Sequence, residues 1–544
     1  MKTPASLRIE KTDVIIVGAG AAGSLLAAKL AQAGRRVVVL EAGPGWTSSD
    51  LYSSQIWARR LKWGGPPVLP GGQNPIGYNM ASGSGFGGAA LHHYGGWPRL
   101  HAEDFRLKSL YGRGRDWPIG YDDLRPYYDR IQDEVGLSGD AVAEIWRPPG
   151  KAYPLPPLPV FKQGEILARG FHALGMKTAP YPTAILSAPY KGRPACLYDG
   201  WCDAGCPIMA LANPLAIYVP QAQAAGAQFR SFSTVARVIT EQQGAHTTRT
   251  TRAIGVEYFD ATGAQQIIYA PLVILASAAV QNARLLLNSA TSKLPEGLAN
   301  SSGLVGKAIT AHALAQLYGL FEEETDCHLG TSGAQLTCQD GYGKIEGDRT
   351  LKVPKPFKPS KPFGSTMWAI ANAMKPNDLL GIANTRPDIM GRELHKFMLR
   401  GAKHMAVLGA LCESIPEDSN RVELASEKDR FGLPLPRLNH TMSEEAMALW
   451  AYNIELGKNI YKAAGSREYW SAPPVFAHLA GGTLMGKEAA TSVTDSYGRC
   501  HDVPNMVIAG ASLFPSAGAV NPTYTIHALS LRTAEHLISE RGIH

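Results

Sequence analysis

Three cysteines fall within twelve residues, CLYDGWCDAGCP, at Cys196, Cys202 and Cys206. Thiols this close together suit a metal centre, and the glycines and proline among them favour a turn-rich loop over a helix. Near the N-terminus, GAGAAG sets Gly18, Gly20 and Gly23 in the spacing that lets a backbone turn tightly, approach a pyrophosphate and pack a helix closely. Toward the other end, His478 stands in HLAGGTLMG and Asn521 in AVNPTYTIHALSLR. An imidazole with an ordinary pKa near ~6.5 is an available base at neutral pH, and an amide is a hydrogen-bond donor that holds an oxygen in place. A metal centre, a dinucleotide and a base beside a donor together describe an enzyme that moves electrons.

Composition limits what must position these groups. At 544 residues the chain exceeds the size of a single growing core, so two joined domains are expected. An apolar content of 45% with 18% charged residues is that of a globular enzyme rather than a disordered chain. The net charge of +7 comes from scattered lysines and arginines with no aromatic-interleaved basic tract, so no nucleic acid partner is expected. The opening MKTPASLRIEKTD has no apolar h-region, which argues against an export signal on this chain. The longest core-like run, APLVILASAAV, is about half of the ~20 residues of a spanning helix, so no direct membrane span is expected. Outside the cluster, Cys327, Cys338, Cys412 and Cys500 are best read as buried thiols, with a Cys327–Cys338 disulfide as the alternative in an oxidising compartment.

The opening DVIIVGAGAAGSLLAAKLAQAGRRVVVLEAG reads as strand, glycine turn, helix, strand, with Val14 to Val17 and Val37 to Leu40 as buried parallel strands. Glu41 closes the second strand, where a carboxylate can accept bonds from ribose hydroxyls. Residues 44–80, dense in Pro, Gly and Trp, read as a long irregular lid or interface loop, and Trp57 to Trp63 as a possible pocket lining. SGSGFGGAALHHYGG, with Gly87, Gly88 and His92, is too glycine-rich for a helix start and suits backbone held close to a cofactor. RPPGKAYPLPPLPVF begins a proline-rich surface stretch. FRSFSTVARVI and AIGVEYFD read as a hairpin pair, and QQIIYAPLVILASAAVQNARLLLNS as one strand turning into a helix. NMVIAGASLFPSAG gives a strand ending on glycine before a long amphipathic helix. For Asn521 the structural alternative is a helix N-cap, with Pro522 at the first helical position. For His478 it is a buried histidine satisfied by backbone.

On these segments, together with YGRGRDWPIGYDDLRPYYDR, the chain resembles the glucose-methanol-choline (GMC) oxidoreductases over nearly its whole length. It is most similar to their bacterial sugar dehydrogenase branch, which includes glucose, fructose, gluconate and glucoside 3-dehydrogenases. The resemblance implies an α/β fold of GMC type: a Rossmann-like FAD-binding domain interleaved with an α+β substrate domain whose antiparallel sheet is flanked by helices. The implied division is 1–140, 190–310 and 472–544 for the FAD-binding domain with its iron-sulfur loop at 196–207. Residues 311–471 form the substrate-binding domain, and 141–189 a connecting segment. FAD contacts are expected at Gly18, Gly20, Gly23, Glu41, Gly87, Gly88, His92, Val235, Gly510, Ala511, Pro522 and Thr523. The chain departs from the family at Ala89-Ala90, where relatives carry a Thr pair, and at SAAVQNAR, where many carry Gly and Thr-Pro.

The C-x5-C-x3-C-P spacing is similar to that of the branch and implies a 3Fe-4S cluster with Cys196, Cys202 and Cys206 as its ligands, one thiolate per iron. A structural zinc site needs a fourth ligand, and the loop has no histidine. The family's His/Asn pair falls on His478, as base, and Asn521, as donor to the substrate oxygen. The expected activity is oxidation of a sugar or glycoside carbinol to a ketone or lactone by hydride transfer to FAD. The resemblance also implies a small subunit bearing an export signal, a cytochrome c acceptor and a periplasmic location by co-export. Without such a partner the enzyme is expected to be cytoplasmic. One alternative is a dehydrogenase of a non-sugar alcohol, aromatic or aliphatic. Another is a non-catalytic flavin and iron-sulfur electron-transfer subunit, which has no need of an alcohol-activating base.

Overall fold

In a computed structural model, residues 9–76, 82–243, 250–343, 345–346, 350–351 and 353–540 are described. A five-stranded parallel sheet forms the centre of the first lobe. Its strands run in the order Met506–Ile508, Leu272–Leu275, Val14–Val17, Val37–Leu40 and Gln228–Arg230. The central members VIIV, VVVL and LVIL are buried along their whole length because helices cover the sheet. The helix Ala21–Gln32 follows the glycine turn and lies beside the C-terminal helix Thr523–Ser539 and the short helix Tyr218–Ala224. A side sheet carries the hairpin of Thr234–Gln243 and Thr250–Phe259 together with Gln265–Tyr269 and Ile9–Lys11.

The expected single strand between 265 and 275 is two strands in different sheets, Gln265–Tyr269 and Leu272–Leu275. Pro271, without an N–H, separates them. The 44–80 stretch is likewise more ordered than the reading of a long irregular lid. It contains the helix Gln55–Lys62, with Trp57, Ala58 and Leu61 on its buried side, and the short strand Leu69–Gly71. The i, i+1, i+4 spacing of those three residues is a helical stripe that the surrounding Pro and Gly obscured. Residues 77–81 of the stretch lie outside the described residues.

The second lobe is built on an antiparallel sheet in the order Glu468–Ser471, Thr310–Leu320, Met405–Cys412, Thr366–Ile370, Leu336–Cys338 and Ala179–Pro180, with Val475–Ala480 also paired to Thr310–Leu320. The helix Glu444–Ala463 packs on this sheet, and its N-cap Ser443 accepts the Ala446 N–H at 3.1 Å. The proline-rich stretch contributes to this core. Its helix Lys162–Ala173 buries Ile166, Leu167 and Phe171 there, and Ala179–Pro180 adds an edge strand. All seven cysteines are free thiols, so Cys327 and Cys338 are not bridged. Among the described residues no helix is long and apolar enough to cross a membrane.

Candidate active site and cysteine loop

The parallel strands end together, and their ends carry the expected nucleotide residues. Gly18 has φ +102°, and a Cβ there would meet the Ala276 carbonyl oxygen at 2.6 Å. At Gly23 a Cβ would lie 2.0 Å from the Gly18 oxygen, so the helix approaches the turn only as glycine. Gly20 differs: a Cβ there would meet nothing within 4 Å, whereas one on Gly88 would approach the Gly20 Cα to 3.1 Å. Gly87 and Gly88 thus fold over the fingerprint turn, and Gly87 N–H bonds the Ala19 carbonyl at 2.9 Å.

The Glu41 carboxylate is buried and accepts the backbone N–H groups of Ala19, Gly43 and Gly85, each at 2.9 Å. Three of its about four lone-pair directions are therefore taken up in joining the fingerprint turn, its own loop and the glycine-rich loop. Burial raises its pKa, and the three N–H donors work against that rise. His92 follows Gly88–Leu91, a 3-10 turn. It is 4% exposed, and its Nε2 has no hydrogen-bond partner among the described residues. A buried polar atom without a partner among the described residues is the pattern left by a group the chain alone does not supply. His93 is satisfied internally, with Nδ1 accepting from Gly95 N–H and Nε2 bonding the Ala212 carbonyl. Val235 stands near the start of Thr234–Gln243, two residues after Ser233, whose N–H bonds the Glu41 carbonyl. Gly510, with φ +103°, and Ala511 follow the strand Met506–Ile508, and Thr523 begins the last helix.

Pro522, rather than Asn521, occupies the N-cap of that helix, and it makes no side-chain cap bond. This leaves the Asn521 amide free of a capping role. Its Oδ1 accepts from the Tyr181 hydroxyl at 2.6 Å, which turns Nδ2 toward His478 Nε2 at 3.4 Å. Both residues are half-buried, whereas Tyr181 is buried. His478 has φ +61°, rare for a residue with a Cβ. The cause is a bulge: Thr310 pairs with Ala480 and His312 with Ala477, so one extra residue on the His478 strand is accommodated opposite Ala311. The bulge turns the imidazole out of the sheet toward Asn521. Behind it, His478 Nδ1 lies 2.9 Å from His312 Nδ1, and His312 Nε2 lies 2.9 Å from the Gly518 carbonyl. Burial lowers the pKa of both histidines well below the usual range, and for His478 the neighbouring His312 adds to the effect. Both are therefore neutral imidazoles around pH 7.

His312 and Tyr181, which bond the His478 and Asn521 side chains, were not singled out by sequence reading. Their partners are 166 and 340 residues away in the chain. His527 is buried, bonds the Thr523 carbonyl and lies 4.7 Å ring to ring from Trp97.

The cysteine loop lies at the junction of the lobes. Cys202 is buried and Cys196 and Cys206 pack against the same small apolar cluster with Ile185 and Leu211. Each sulfur accepts one backbone N–H: Cys196 from Tyr198 at 3.3 Å, Cys206 from Leu211 at 3.3 Å and Cys202 from Ser332 at 3.4 Å. The loop bends through left-handed residues at Tyr198, Gly200, Gly205, Cys206 and Met209. Burial raises the thiol pKa values, to about 11 at Cys196 and further at Cys202, so the metal-free thiols are protonated. Among the described residues no three His, Cys, Asp or Glu side chains are arranged to share one metal ion. The Asp203 carboxylate is buried between two ammonium groups, Lys62 at 3.4 Å and Lys375 at 3.3 Å. The helix Gln55–Lys62 packs against this loop, where Trp57 Nε1 donates to the Ala204 carbonyl at 3.2 Å.

Two family models described as GMC oxidoreductase match the chain, over residues 12–314 and 416–530. It is 30% identical to the 2-methyl-1,2-propanediol dehydrogenase of Mycolicibacterium austroafricanum, over 97% of this chain and 95% of that one. It is 28% identical to the fructose dehydrogenase large subunit of Gluconobacter japonicus, over 97% of this chain and 98% of that one. Among solved structures, pyridoxine 4-oxidase from Mesorbium loti superposes with a TM-score of 0.65 at 15% identity, covering 98% of this chain and 100% of that one. That likeness concerns the fold.

Proposed function

The chain belongs to the GMC oxidoreductase family, and on that footing we propose that it is an FAD-dependent dehydrogenase oxidising a sugar or glycoside carbinol to a ketone or lactone. The observation that carries the reading is the facing pair of His478 Nε2 and Asn521 Nδ2, 3.4 Å apart on half-buried side chains. One acceptor and one donor so placed can both meet a single hydroxyl oxygen. His478 takes the hydroxyl proton at Nε2 while Asn521 holds the same oxygen through an amide N–H. Tyr181 keeps the amide from turning over. The carbon then loses its hydrogen with the bonding electron pair, and the C–O bond becomes a carbonyl. Bound FAD supplies the acceptor for that hydride. The residues that fit it are the cradle of Gly18, Gly20, Gly23, Gly87 and Gly88, organised by Glu41.

For the cysteine loop we propose a 3Fe-4S cluster held by Cys196, Cys202 and Cys206. The support is chemical. Three thiols share one apolar pocket, each already receives an N–H···S bond of the kind that steadies a cluster thiolate, and two ammonium groups, half-buried Lys62 and buried Lys375, flank the loop. Such a cluster supplies a one-electron carrier, which favours a protein acceptor over oxygen. A cytochrome c acceptor, a small subunit carrying the export signal and a periplasmic location complete the proposal. Their support is the likeness to a protein described as a large subunit.

The non-sugar alternative has its own support in the 30% identity to an enzyme described as a dehydrogenase of an aliphatic diol. Anaerobic mixing with sugars, sugar acids, glycosides and short diols, following loss of oxidised-flavin absorbance, separates the readings. Bleaching by sugars or glycosides supports the first. Bleaching by diols alone replaces it with the second, and silence toward all with normal bleaching by dithionite removes both. Iron and sulfide analysis with electron paramagnetic resonance of the oxidised protein tests the cluster, and fewer than about two irons per chain would sink it.

A further inference from the structure

A neutral imidazole has two tautomers, and only one of them makes His478 a base toward Asn521 and a substrate. The hydrogen bonds behind it decide which. Gly518 offers His312 a carbonyl oxygen, which can only accept, so His312 Nε2 carries a proton. His312 is 1% exposed, and full burial without an acidic hydrogen-bond partner keeps it neutral, so its Nδ1 carries none. An unprotonated Nδ1 can only accept, and the atom 2.9 Å away is His478 Nδ1, which must therefore carry the proton. His478 Nε2 is left with a lone pair.

We propose that His312 is a positioning residue that locks His478 in the tautomer protonated on Nδ1, so that the Nε2 lone pair is directed to the substrate hydroxyl. The inference rests on the reading of His478 as the base. The same bond serves after proton transfer, because His478 Nδ1–H then becomes a charge-assisted donor to His312. The line ends at the Gly518 carbonyl, which relays no proton, so the proton taken from the substrate stays within the imidazole pair. The backbone strain at His478 acts in the same direction, since it fixes where the ring points while His312 fixes which nitrogen is bare.

The test is nitrogen-15 NMR of the FAD-loaded, histidine-labelled enzyme, with the His478 signals assigned by difference from His478→Gln. The expected spectrum has a proton-bearing Nδ1 and a bare Nε2 at His478 in the wild type, and a mixture of tautomers in His312→Leu. Substrate-driven flavin bleaching should slow by about 10²-fold or more in His312→Leu. His312→Asn, whose amide oxygen replaces Nδ1 as the acceptor, should recover to within about tenfold of wild type. A bare Nδ1 in the wild type overturns the proposal, as do equal losses in the Leu and Asn variants at normal FAD content. Where the Leu variant fails to fold, the wild-type spectrum and the Asn variant decide. Unimpaired bleaching in His478→Gln removes the base assignment itself, whereas a slow His478→Gln beside a fast His312→Leu removes only the role of His312.

Discussion

The histidine site and the cysteine loop are organised in opposite ways. Around His478 the protein has already satisfied and oriented every group. The bulge aims the ring, His312 takes its rear nitrogen and Tyr181 holds the amide opposite. At the cysteine loop each sulfur has one N–H donor, and burial keeps all three as protonated thiols. The first is preorganised by side chains from distant strands. The second carries no such preorganisation, and the cluster proposed for it would have to displace those protons on binding. Sites that handle a proton need a fixed lone pair before substrate arrives, whereas sites that hold a cluster need ligands that the cluster itself can draw in.

Separate substitutions should pull the two regions apart. The largest effect is expected from His478→Gln, which should slow substrate-driven bleaching by roughly 10²–10⁴-fold while leaving iron content unchanged. Loss of iron in that variant would show that the two sites are one cooperative unit. Cys202→Ser should do the reverse, losing the cluster signal while anaerobic bleaching stays within about threefold of wild type. Tyr181→Phe removes one hydrogen bond of about 1 kcal/mol from the Asn521 amide, and a loss of about fivefold in the bleaching rate is expected, with no change in iron.

Acid gives the mildest separation. Burial lowers the pKa values of His92, His93, His312, His440, His478 and His527, so in the folded protein these groups stay neutral where the unfolded chain takes up protons. Their stabilising contribution is therefore present above about pH 6.5 and declines as pH falls, by up to ~1.4 kcal/mol per pH unit for each group. Glu144, raised to about 7 by burial, runs the other way, as do the raised Glu41 and Glu417, but the imidazoles outnumber them. Denaturant midpoints should fall between pH 7 and pH 5, and a flat profile would mean that these rings are hydrated. The bleaching rate should show no acid limb near 6.5, because the lowered pKa of His478 keeps its base form in place through that range.

What the sequence revealed follows the same division. The glycine fingerprint and the strands beside it are local patterns, and both read correctly from a short window because hydrophobic periodicity and glycine placement act over a few residues. His478 and Asn521 were legible only through resemblance. Nothing local marks His312, a lone histidine in the strand segment TAHALAQLYGL, or Tyr181, because their roles come from pairings across the fold. The helix Gln55–Lys62 was missed where Pro, Gly and Trp on either side outweighed an eight-residue stripe, and the cap role offered as the alternative for Asn521 falls one position later, on Pro522.

The bond from Ser332 to Cys202 spans 130 residues and crosses from the second lobe into the cysteine loop, where Ser332 Oγ also bonds the Gly200 carbonyl at 2.6 Å. During synthesis the three thiols emerge well before that strap exists. The pocket around the thiols is thus closed by the lobe built on the antiparallel sheet, so its final shape depends on the two lobes docking. A chain interrupted before residue 332 has all three cysteines but lacks the latch that shapes their pocket.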